Sequence, residues 1–311
     1  MITTLNQASS VKVSKTLVCA VCGESGEPVE SRMVRCNVRQ YRHQHFLVER
    51  CRHCGSLQTE RVKNLAEYYT NYPIRNQRLD YFSRVWYGVI LKRLVAAGLK
   101  KEHTLLDYGC NQGLFLQYLK TRGYGRVSGF DSYVDRFQDL SVLQRQYDWV
   151  FAMDVIEHHE QPKQMTQRLM NLCSPSGRLC LTSPNADGIH LSDPKSHLME
   201  LHVPYQVHIP SSQGVMALFK EGGRELLAYY PHSYLDSWWP GTSRVLFESL
   251  IAYGGNDIDV AFEPPRIYLF FRHPSLVLKF FFGYFLYSKK KDHMMLIFGS
   301  VPSRPDNNGS H

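Results

Sequence analysis

Two acidic residues and two glycines, spaced over 25 residues, carry the first chemical signal in this chain. Asp107 lies at the end of an apolar run, Gly109 and Gly113 follow in a turn, and Asp131 ends a second apolar run. Glycine lets the backbone turn sharply and lets a ligand approach closely, and a helix beginning after Gly113 would present free N–H groups. A carboxylate one strand away could accept both hydroxyls of a ribose. The pattern predicts a site for a nucleoside-containing ligand, although the glycines do not complete the spacing of a dinucleotide-binding turn.

Two C-x-x-C pairs near the N-terminus form the second signal. Cys19 and Cys22 make one pair, Cys51 and Cys54 make the other, and 28 residues separate the pairs. Four such thiolates can converge on Zn²⁺ at about 2.3 Å and leave no open position for chemistry. We therefore predict a structural zinc site. Exchange of a neighbouring ligand into the site is left open, and the spare ligands are Cys36, His43, His45 and His53.

The elements that must position these groups follow from periodicity. Short apolar strands alternate with helical segments from Leu105 to Tyr230, which is the pattern of a doubly wound sheet. Residues 59–102 precede it as a helical segment. Residues 224–230 and 294–299 suit two further strands, and the stretch between them is too long for a structureless loop. We expect that stretch, residues 231–293, to form an inserted, largely helical cap.

Four segments in a fixed order resemble the class I S-adenosylmethionine (SAM) methyltransferases. They read D-x-G-x-N-x-G, G-F-D, D-V-I-E-H and S-G-R-L-x-L-T-S-P-N, and the resemblance covers residues 103–230. It implies an α/β, Rossmann-like fold with a doubly wound, mostly parallel sheet of seven strands, and SAM as the cofactor. NAD, the competing ligand, is disfavoured by the incomplete glycine fingerprint. The implied cofactor-binding residues are Asp107, Tyr108, Gly109, Cys110, Asn111, Gly113, Asp131, Ser132, Met153 and Asp154.

The same resemblance implies roles within that set. Asp107 would orient the turn or bind the methionine amino group, Asp131 would hold the ribose, and Asp154 would lie near the sulfonium. Asp139 could face the adenine, but we interpret it as a solvated loop residue. The cysteine segment, together with Gln58, resembles the N-terminal zinc domain of deoxysugar C-methyltransferases. The predicted division is a zinc-ribbon-like module (1–58), a helical linker (59–102), a methyltransferase domain (103–301) with the cap, and a tail (302–311).

Histidines dominate the loop ahead of the last predicted helix of the core, with four of them in residues 190–208. Imidazole titrates near neutrality and can take a proton from an acceptor. The loop is similar to the family segment that faces the acceptor, and this implies His202 and His208 as catalytic bases with Glu200 as an orienting carboxylate. A plain loop role is equally open for either histidine alone.

A second metal is the alternative interpretation of Asp154, Glu157 and His158. In some relatives an E-x-x-E-H segment holds a divalent cation, and carboxylate and imidazole ligands suit Mg²⁺ or Mn²⁺. We consider this metal the less favoured interpretation, because many metal-free relatives share the D-V-I-E-H segment.

An aromatic run over residues 276–287 precedes three lysines. Such a run can lie in a membrane interface beside anionic lipids, so peripheral membrane contact through 276–291 is one interpretation. We favour the other, a buried cap helix over an apolar acceptor pocket. Both point to a small-molecule acceptor with an apolar portion.

Composition sets the remaining bounds. The chain has 311 residues, a net charge of +8 and eight cysteines. We see no signal peptide and no spanning run, and C-x-x-C pairs suit a reducing compartment, so the cytoplasm is expected. Basic residues are scattered, which disfavours nucleic acid as a partner. The predicted function is methyl transfer to oxygen or carbon of a small molecule. The alternatives are an RNA methyltransferase that grips RNA through its zinc module and a catalytically silent zinc-containing interaction protein.

Overall fold

The computed structural model describes residues 16–70, 72–73, 77–264, 266–286 and 290–300. The predicted tail, residues 302–311, lies outside them. The strands of the described residues are Leu17–Val18 (β1), Ser25–Gly26 (β2), Glu30–Arg35 (β3), His45–Arg50 (β4), Leu57–Thr59 (β5), Leu105–Tyr108 (β6), Val127–Phe130 (β7), Tyr147–Met153 (β8), Cys173–Pro184 (β9), His208–Ile209 (β10), Arg224–Tyr230 (β11) and His293–Ser300 (β12). The α-helices are Leu65–Thr70 (α1), Tyr81–Ala96 (α2), Leu114–Thr121 (α3), Pro162–Leu172 (α4), Ser212–Glu221 (α5), Arg244–Tyr253 (α6), Tyr268–Arg272 (α7) and Ser275–Phe282 (α8).

The main sheet has the strand order β11-β12-β9-β8-β6-β7. Strands β7, β6, β8 and β9 are parallel, and β12 is antiparallel to both β9 and β11. Parallel strands need both faces covered. Along β8, Val150 and Ala152 pack on the side of α4 and α5, whereas Trp149 and Phe151 pack on the side of α2 and α3. This is the predicted doubly wound α/β fold.

The predicted sheet had one strand too many. The sheet of the described residues has six strands, not seven. The segment after β7 instead forms a 3-10 helix, Leu140–Gln144. Its start is fixed by the Asp139 carboxylate, which accepts a hydrogen bond from the Ser141 N–H at 2.9 Å. A capping side chain of this kind favours a turn over a strand ladder, and β7 is therefore the edge of the sheet.

A second, four-stranded antiparallel sheet holds the cysteine segment against the core. Its order is β10-β5-β4-β3, and β10 comes from residues far along the chain from the other three. His208 pairs with Gln58 and Ile209 with Leu57 in this ladder. A hydrogen bond from the Ser211 N–H to the Ser56 hydroxyl continues the contact at 3.0 Å. The cysteine segment thus shares its backbone ladder with the loop that precedes α5.

The stretch between β11 and β12 is helical and carries α6, α7 and α8. Its inner face is apolar: Leu246, Leu269 and Leu276 are buried together. The prediction of a buried helix over 276–287 is wrong for the outer face of α8, where Phe281 and Phe282 are exposed. Residues 287–289 lie outside the described residues. Among the described residues, none of the helices is long and apolar enough to cross a bilayer.

Candidate active site and cysteine cluster

The turn between β6 and α3 has three residues in the left-handed backbone region. The φ angles are 79° at Gly109, 46° at Asn111 and 65° at Gly113. Asparagine tolerates this region better than most residues, and glycine enters it without strain. The turn therefore exists as predicted, and it delivers the N-terminus of α3 to the end of β6.

Side chains pack closely on the two glycines of this turn. A Cβ on Gly109 would lie 2.5 Å from a methyl group of Val155, and a Cβ on Gly113 would lie 2.5 Å from the ring of Phe137. Neither position can therefore take a larger residue. Val155 and Phe137 therefore pack against the backbone of the turn.

Asp131 is tied to the turn by backbone hydrogen bonds. Its carboxylate accepts from the N–H of Asn111 at 2.8 Å and from the N–H of Tyr133 at 2.8 Å. Each carboxylate oxygen can accept two hydrogen bonds, so both oxygens keep capacity for a further donor such as a ribose hydroxyl. Ser132 follows directly, and its carbonyl accepts from the Gln138 side chain.

Asp107 is a buried carboxyl at the end of β6. Burial raises its pKa to about 7, and the nearby charge of Asp131 acts in the same direction. A cation placed here would favour the ionised form and reverse the shift. The residues on either side of the turn, Tyr108 and Cys110, are buried as well. Two carboxyls and a helix N-terminus meet at this corner. The carboxyls can accept hydrogen bonds from a cationic group and from hydroxyls of one ligand.

Asp154 follows β8 with a φ of 53°, a strained angle for a residue with a Cβ. One of its oxygens accepts from Tyr234 at 2.6 Å, and the other contacts Thr182 and His293 at 3.0 Å each. Burial alone would raise the pKa of Asp154, but these partners, His293 foremost, hold it below its ordinary value. Asp154 is therefore an ionised carboxylate that joins the end of β8, next to Met153, to β9, β12 and the cap.

His158 ends the short 3-10 turn that follows Asp154, and its side chain is half-buried. Its Nδ1 lies 2.9 Å from the carbonyl oxygen of Tyr205 and 2.8 Å from the Tyr69 hydroxyl. A carbonyl can only accept, so Nδ1 carries the proton and Nε2 is the basic nitrogen. Burial lowers the pKa of His158 below 6.5, and the ring is neutral at neutral pH.

Tyr69, on α1, links His158 to the turn. Its ring stacks on that of Tyr133 with centroids 5.8 Å apart, and Tyr133 donates its backbone N–H to Asp131. Tyr69 also packs edge-on against Tyr205 at 5.4 Å. Tyr69 therefore contacts the Nδ1 side of His158 and the ring of Tyr133, which lies two residues after Asp131.

Neither histidine predicted as a base keeps a free and accessible nitrogen. His202 uses Nδ1 with the Asn37 amide at 3.2 Å and Nε2 with the Met199 carbonyl at 2.8 Å, and burial lowers its pKa to about 4. His208 is 1% exposed, its Nε2 has no hydrogen-bond partner, and burial lowers its pKa to about 3. The folded chain offers a lone pair at His158 instead.

Glu200 belongs to a separate buried ion network. It pairs with Arg244 at 2.7 Å rather than with a histidine of the loop, and Arg244 binds Asp292 through two hydrogen bonds of 2.6 and 2.8 Å. His197 also contacts Asp292, at 3.0 Å. His197, Glu200 and Asp292 form a group with metal-ligand types, but the guanidinium of Arg244 already supplies its positive charge.

The alternative Mg²⁺ or Mn²⁺ site is not assembled. Among the described residues, two groups of three or more His, Cys, Asp and Glu bring their ligand atoms within 4.8 Å of one another, and neither contains Asp154, Glu157 or His158. The three residues have separate partners. Glu157 accepts from Ser183 at 3.2 Å, and burial raises its pKa well above the ordinary value, which disfavours the ionised form that a cation needs.

The four predicted zinc ligands converge. The Sγ atoms of Cys19 and Cys54 lie 3.6 Å apart, and those of Cys22 and Cys51 lie 3.8 Å apart. Tetrahedral sulfurs at the zinc–sulfur distance are separated by about 3.8 Å. Gly23 donates its N–H to the Cys19 carbonyl, and Gly55 repeats this contact with Cys51. The first turn is further held by Gln58, which accepts from the Ala20 N–H at 2.9 Å. The residues fit one zinc ion.

Sequence reasoning missed Tyr69, Tyr234 and His293 and gave His158 only a metal role. The D-V-I-E-H segment was a signal for His158, because it marks the residue as the end of a strand loop. Tyr234 and His293 lie 80 and 139 residues from Asp154 along the chain, and no local pattern announces such contacts.

The comparisons with known proteins concern the chain and its fold. Residues 81–239 match the family model described as "Methyltransferase domain". No curated protein matches the chain. One similar solved structure is coclaurine N-methyltransferase bound to N-methylheliamine and S-adenosylhomocysteine, which is 13% identical to this chain. The match covers 69% of this chain and 72% of that chain, with a TM-score of 0.41.

Two further structures are similar at the same level. A putative sarcosine dimethylglycine methyltransferase from Galdieria sulphuraria is 17% identical, with 70% of this chain and 86% of that chain covered and a TM-score of 0.41. Magnesium protoporphyrin IX methyltransferase from Synechocystis PCC 6803 is 16% identical, with 54% and 89% covered and a TM-score of 0.39. At these identities the similarity concerns the fold alone.

Proposed function

We propose, from the premise that this chain belongs to the methyltransferase domain family, that it methylates oxygen or carbon of a small molecule with an apolar portion. Dependence on SAM comes with the family. The acceptor and the base are our proposal. The observation that carries it is the neutral, half-buried His158, whose Nδ1 proton is held by the Tyr205 carbonyl and whose Nε2 is left to take a proton. The same histidine contacts Tyr69, whose ring stacks on that of Tyr133.

The donor is proposed to bind at the turn after β6. SAM supplies an electrophilic methyl group on a sulfonium. Asp107 would receive the methionine amino group, Asp131 would bind the ribose hydroxyls, and the N-terminus of α3 would face the rest of the ligand. The ionised Asp154 would lie on the sulfonium side, where a negative charge favours binding of a cation.

Transfer to a hydroxyl or an activated carbon needs a proton acceptor. In the proposed step the acceptor atom forms a bond to the methyl carbon, the carbon–sulfur bond breaks, and its electron pair remains on sulfur. The proton of the acceptor passes to Nε2 of His158, while Nδ1–H stays on the Tyr205 carbonyl. Alignment of acceptor and methyl group supplies much of the rate in such a displacement.

The apolar portion of the acceptor is inferred from the tyrosines around His158. Tyr69, Tyr72 and Tyr205 pack edge-on or stacked within 5.8 Å of one another. Tyr72 and Tyr205 are buried behind Tyr69, which is half-buried, and the exposed Tyr133 stacks on Tyr69. The Tyr69 hydroxyl lies beside Nδ1 of His158. Such a wall suits an aromatic or isoprenoid-like group better than a phosphate.

The donor site is tested with Asp131→Ala and the matched variant Asp139→Ala. Asp139 is an exposed aspartate nearby in sequence that caps a turn in the same manner. Loss of two charge-assisted ribose contacts should weaken S-adenosylhomocysteine binding by about tenfold or more in Asp131→Ala, and Asp139→Ala should retain wild-type affinity by calorimetry. Equal affinities for the two variants would contradict the proposed donor site. A screen of small molecules for a mass gain of one methylene then identifies the acceptor.

A further inference from the structure

The outer face of the cap is an exposed apolar surface. We call it the aromatic face and define it by Phe271, Leu278, Phe281, Phe282, Phe285 and Leu286. These side chains are between 52% and 83% exposed. Contiguous exposed apolar surface of this kind is rare unless it meets a partner or a membrane.

Most of the aromatic face lies on the outer side of α8 and the 3-10 turn after it, and the inner side of α8 is already packed against the cap. Leu276 is buried, and Phe280 packs edge-on against Phe270 with centroids 6.4 Å apart. The exposed residues of α8 and the following 3-10 turn recur at positions 278, 281, 282, 285 and 286, which is helical spacing on one side. Core packing therefore does not explain these side chains.

Basic residues outnumber acidic residues around the aromatic face, with Arg266 and Lys290 paired to Glu263 and Glu248. From residue 264 to residue 291 the sequence has six Lys or Arg and no Asp or Glu. Arg272 and Lys291 are exposed in the structure. The partner must therefore accept both apolar insertion and positive charge.

We propose that the aromatic face docks on the surface of an anionic lipid membrane. An amphipathic helix with aromatic and aliphatic side chains on one side and Lys or Arg beside them lies in the plane of the membrane interface, and anionic headgroups attract the basic residues. A symmetric dimer through this face would bring like charges together, which disfavours a second copy of the chain as the occupant. The proposal does not depend on the acceptor of methyl transfer.

The test is co-sedimentation of the full chain with two kinds of vesicle. One kind is phosphatidylcholine alone, and the other is an equimolar mixture of phosphatidylcholine and phosphatidylglycerol. We expect sedimentation with the anionic vesicles, and added salt should reduce it. Phe281→Gln combined with Phe285→Gln should weaken this binding by about tenfold or more. Arg272→Gln combined with Lys291→Gln should weaken it by about fivefold for each residue.

The matched control is Val29→Gln combined with Leu140→Gln, which removes two exposed apolar side chains outside the cap. It should sediment like the wild type. All variants change exposed positions, and unaltered circular dichroism and S-adenosylhomocysteine affinity would confirm that they fold. Failure to bind anionic vesicles, or equal binding by Phe281→Gln/Phe285→Gln and wild type, would overturn the proposal. So would concentration-dependent self-association that this variant abolishes in a protein that ignores vesicles.

Discussion

Asp107 is the residue through which pH should control binding of the donor. Its pKa of about 7 in the free protein is set by burial and by Asp131. A ligand that places an ammonium group beside it binds the ionised form more strongly. As the pH falls below about 7, binding must first remove a proton from Asp107, and affinity should fall by up to tenfold for each pH unit.

Calorimetry with S-adenosylhomocysteine at several pH values measures this effect. The Asp107→Asn variant carries no titrating group, so its affinity should be weaker and should lose the neutral-pH slope. An affinity of the wild type that stays constant through neutral pH would show that Asp107 does not contact the amino group.

His158 is the residue that should control turnover. Burial keeps its pKa below 6.5, and only the neutral ring accepts a proton. The rate should therefore rise with pH through that lowered pKa and reach its plateau by neutrality. His158→Gln should lower kcat by about a hundredfold to ten-thousandfold, remove the acid limb of the profile and leave donor affinity unchanged.

His202→Gln is the matched variant, because its ring makes two hydrogen bonds and offers no free nitrogen. We expect it to affect stability more than the shape of the pH profile. If His202→Gln abolished the acid limb and His158→Gln kept it, His202 would be the base, as the sequence predicts, and the proposal of His158 would be wrong.

Whether a part of the site could be predicted from sequence depends on how far apart its contacting residues lie along the chain. The turn residues Gly109, Asn111 and Gly113 lie within one motif, so their left-handed angles could be predicted. The contacts of Asp154 with Tyr234 and His293 arise only because β12 lies beside β9 in the sheet. The burial that separates His158 from His202 is likewise a property of the packed molecule.

At the scale of elements, apolar runs predicted the largely buried strands β6, β8 and β9. The two strands predicted over residues 224–230 and 294–299 are present as β11 and β12, and they pair antiparallel to each other. The extra strand was wrong because a local cap at Asp139 competes with the ladder. The two-residue strand β10 could not be predicted, because its only signal is the partner β5.

Zinc bound at the four-cysteine cluster should stabilise elements beyond the two cysteine turns. The Cys54 carbonyl accepts a hydrogen bond from the Ser211 hydroxyl, and Ser211 is the N-cap of α5. Cys51→Ser, or removal of metal by a chelator, should therefore increase hydrogen exchange across β10 and the first turn of α5. Emission spectrometry should find one zinc for each wild-type chain and less in the variant.

Cys36→Ala is the control for metal content, since Cys36 lies in a different buried cluster from the four ligands. It should keep one zinc. Loss of zinc in Cys36→Ala, or unchanged exchange at β10 in the metal-free protein, would contradict the arrangement.

For the whole molecule, a buried charge network around Arg244 links the cap to the core. Arg244 begins α6, Asp292 directly precedes β12, and Glu200 comes from the loop before β10. Replacing one partner of a buried ion pair leaves the other charge without compensation, at a cost of about 3–5 kcal/mol. Arg244→Met should lower the free energy of unfolding by this amount and expose residues 231–293 to limited proteolysis.

The pH dependence of stability should share this origin. Burial alone would raise the pKa of Asp292, but His197 and Arg244 outweigh it and lower the pKa to about 2. A carboxyl with a depressed folded pKa stabilises the fold above its unfolded pKa of about 3.9, and this contribution is lost as the pH falls from about 4 to 2. Urea unfolding over this range should show the loss in the wild type and a smaller loss in Arg244→Met.

Arg266→Met provides the comparison, since Arg266 pairs with the half-buried Glu263 at 2.6 Å within the same cap. A partly exposed pair of this kind contributes about 1 kcal/mol or less, so Arg266→Met should unfold almost like the wild type and resist the protease. If Arg244→Met and Arg266→Met were equally stable and equally resistant, the buried network would not be what fixes the cap. Its attachment would then rest on the other contacts of the cap with the rest of the chain, which include the buried Ile251 and Ile258 and the ion pair of buried Asp257 with Arg35.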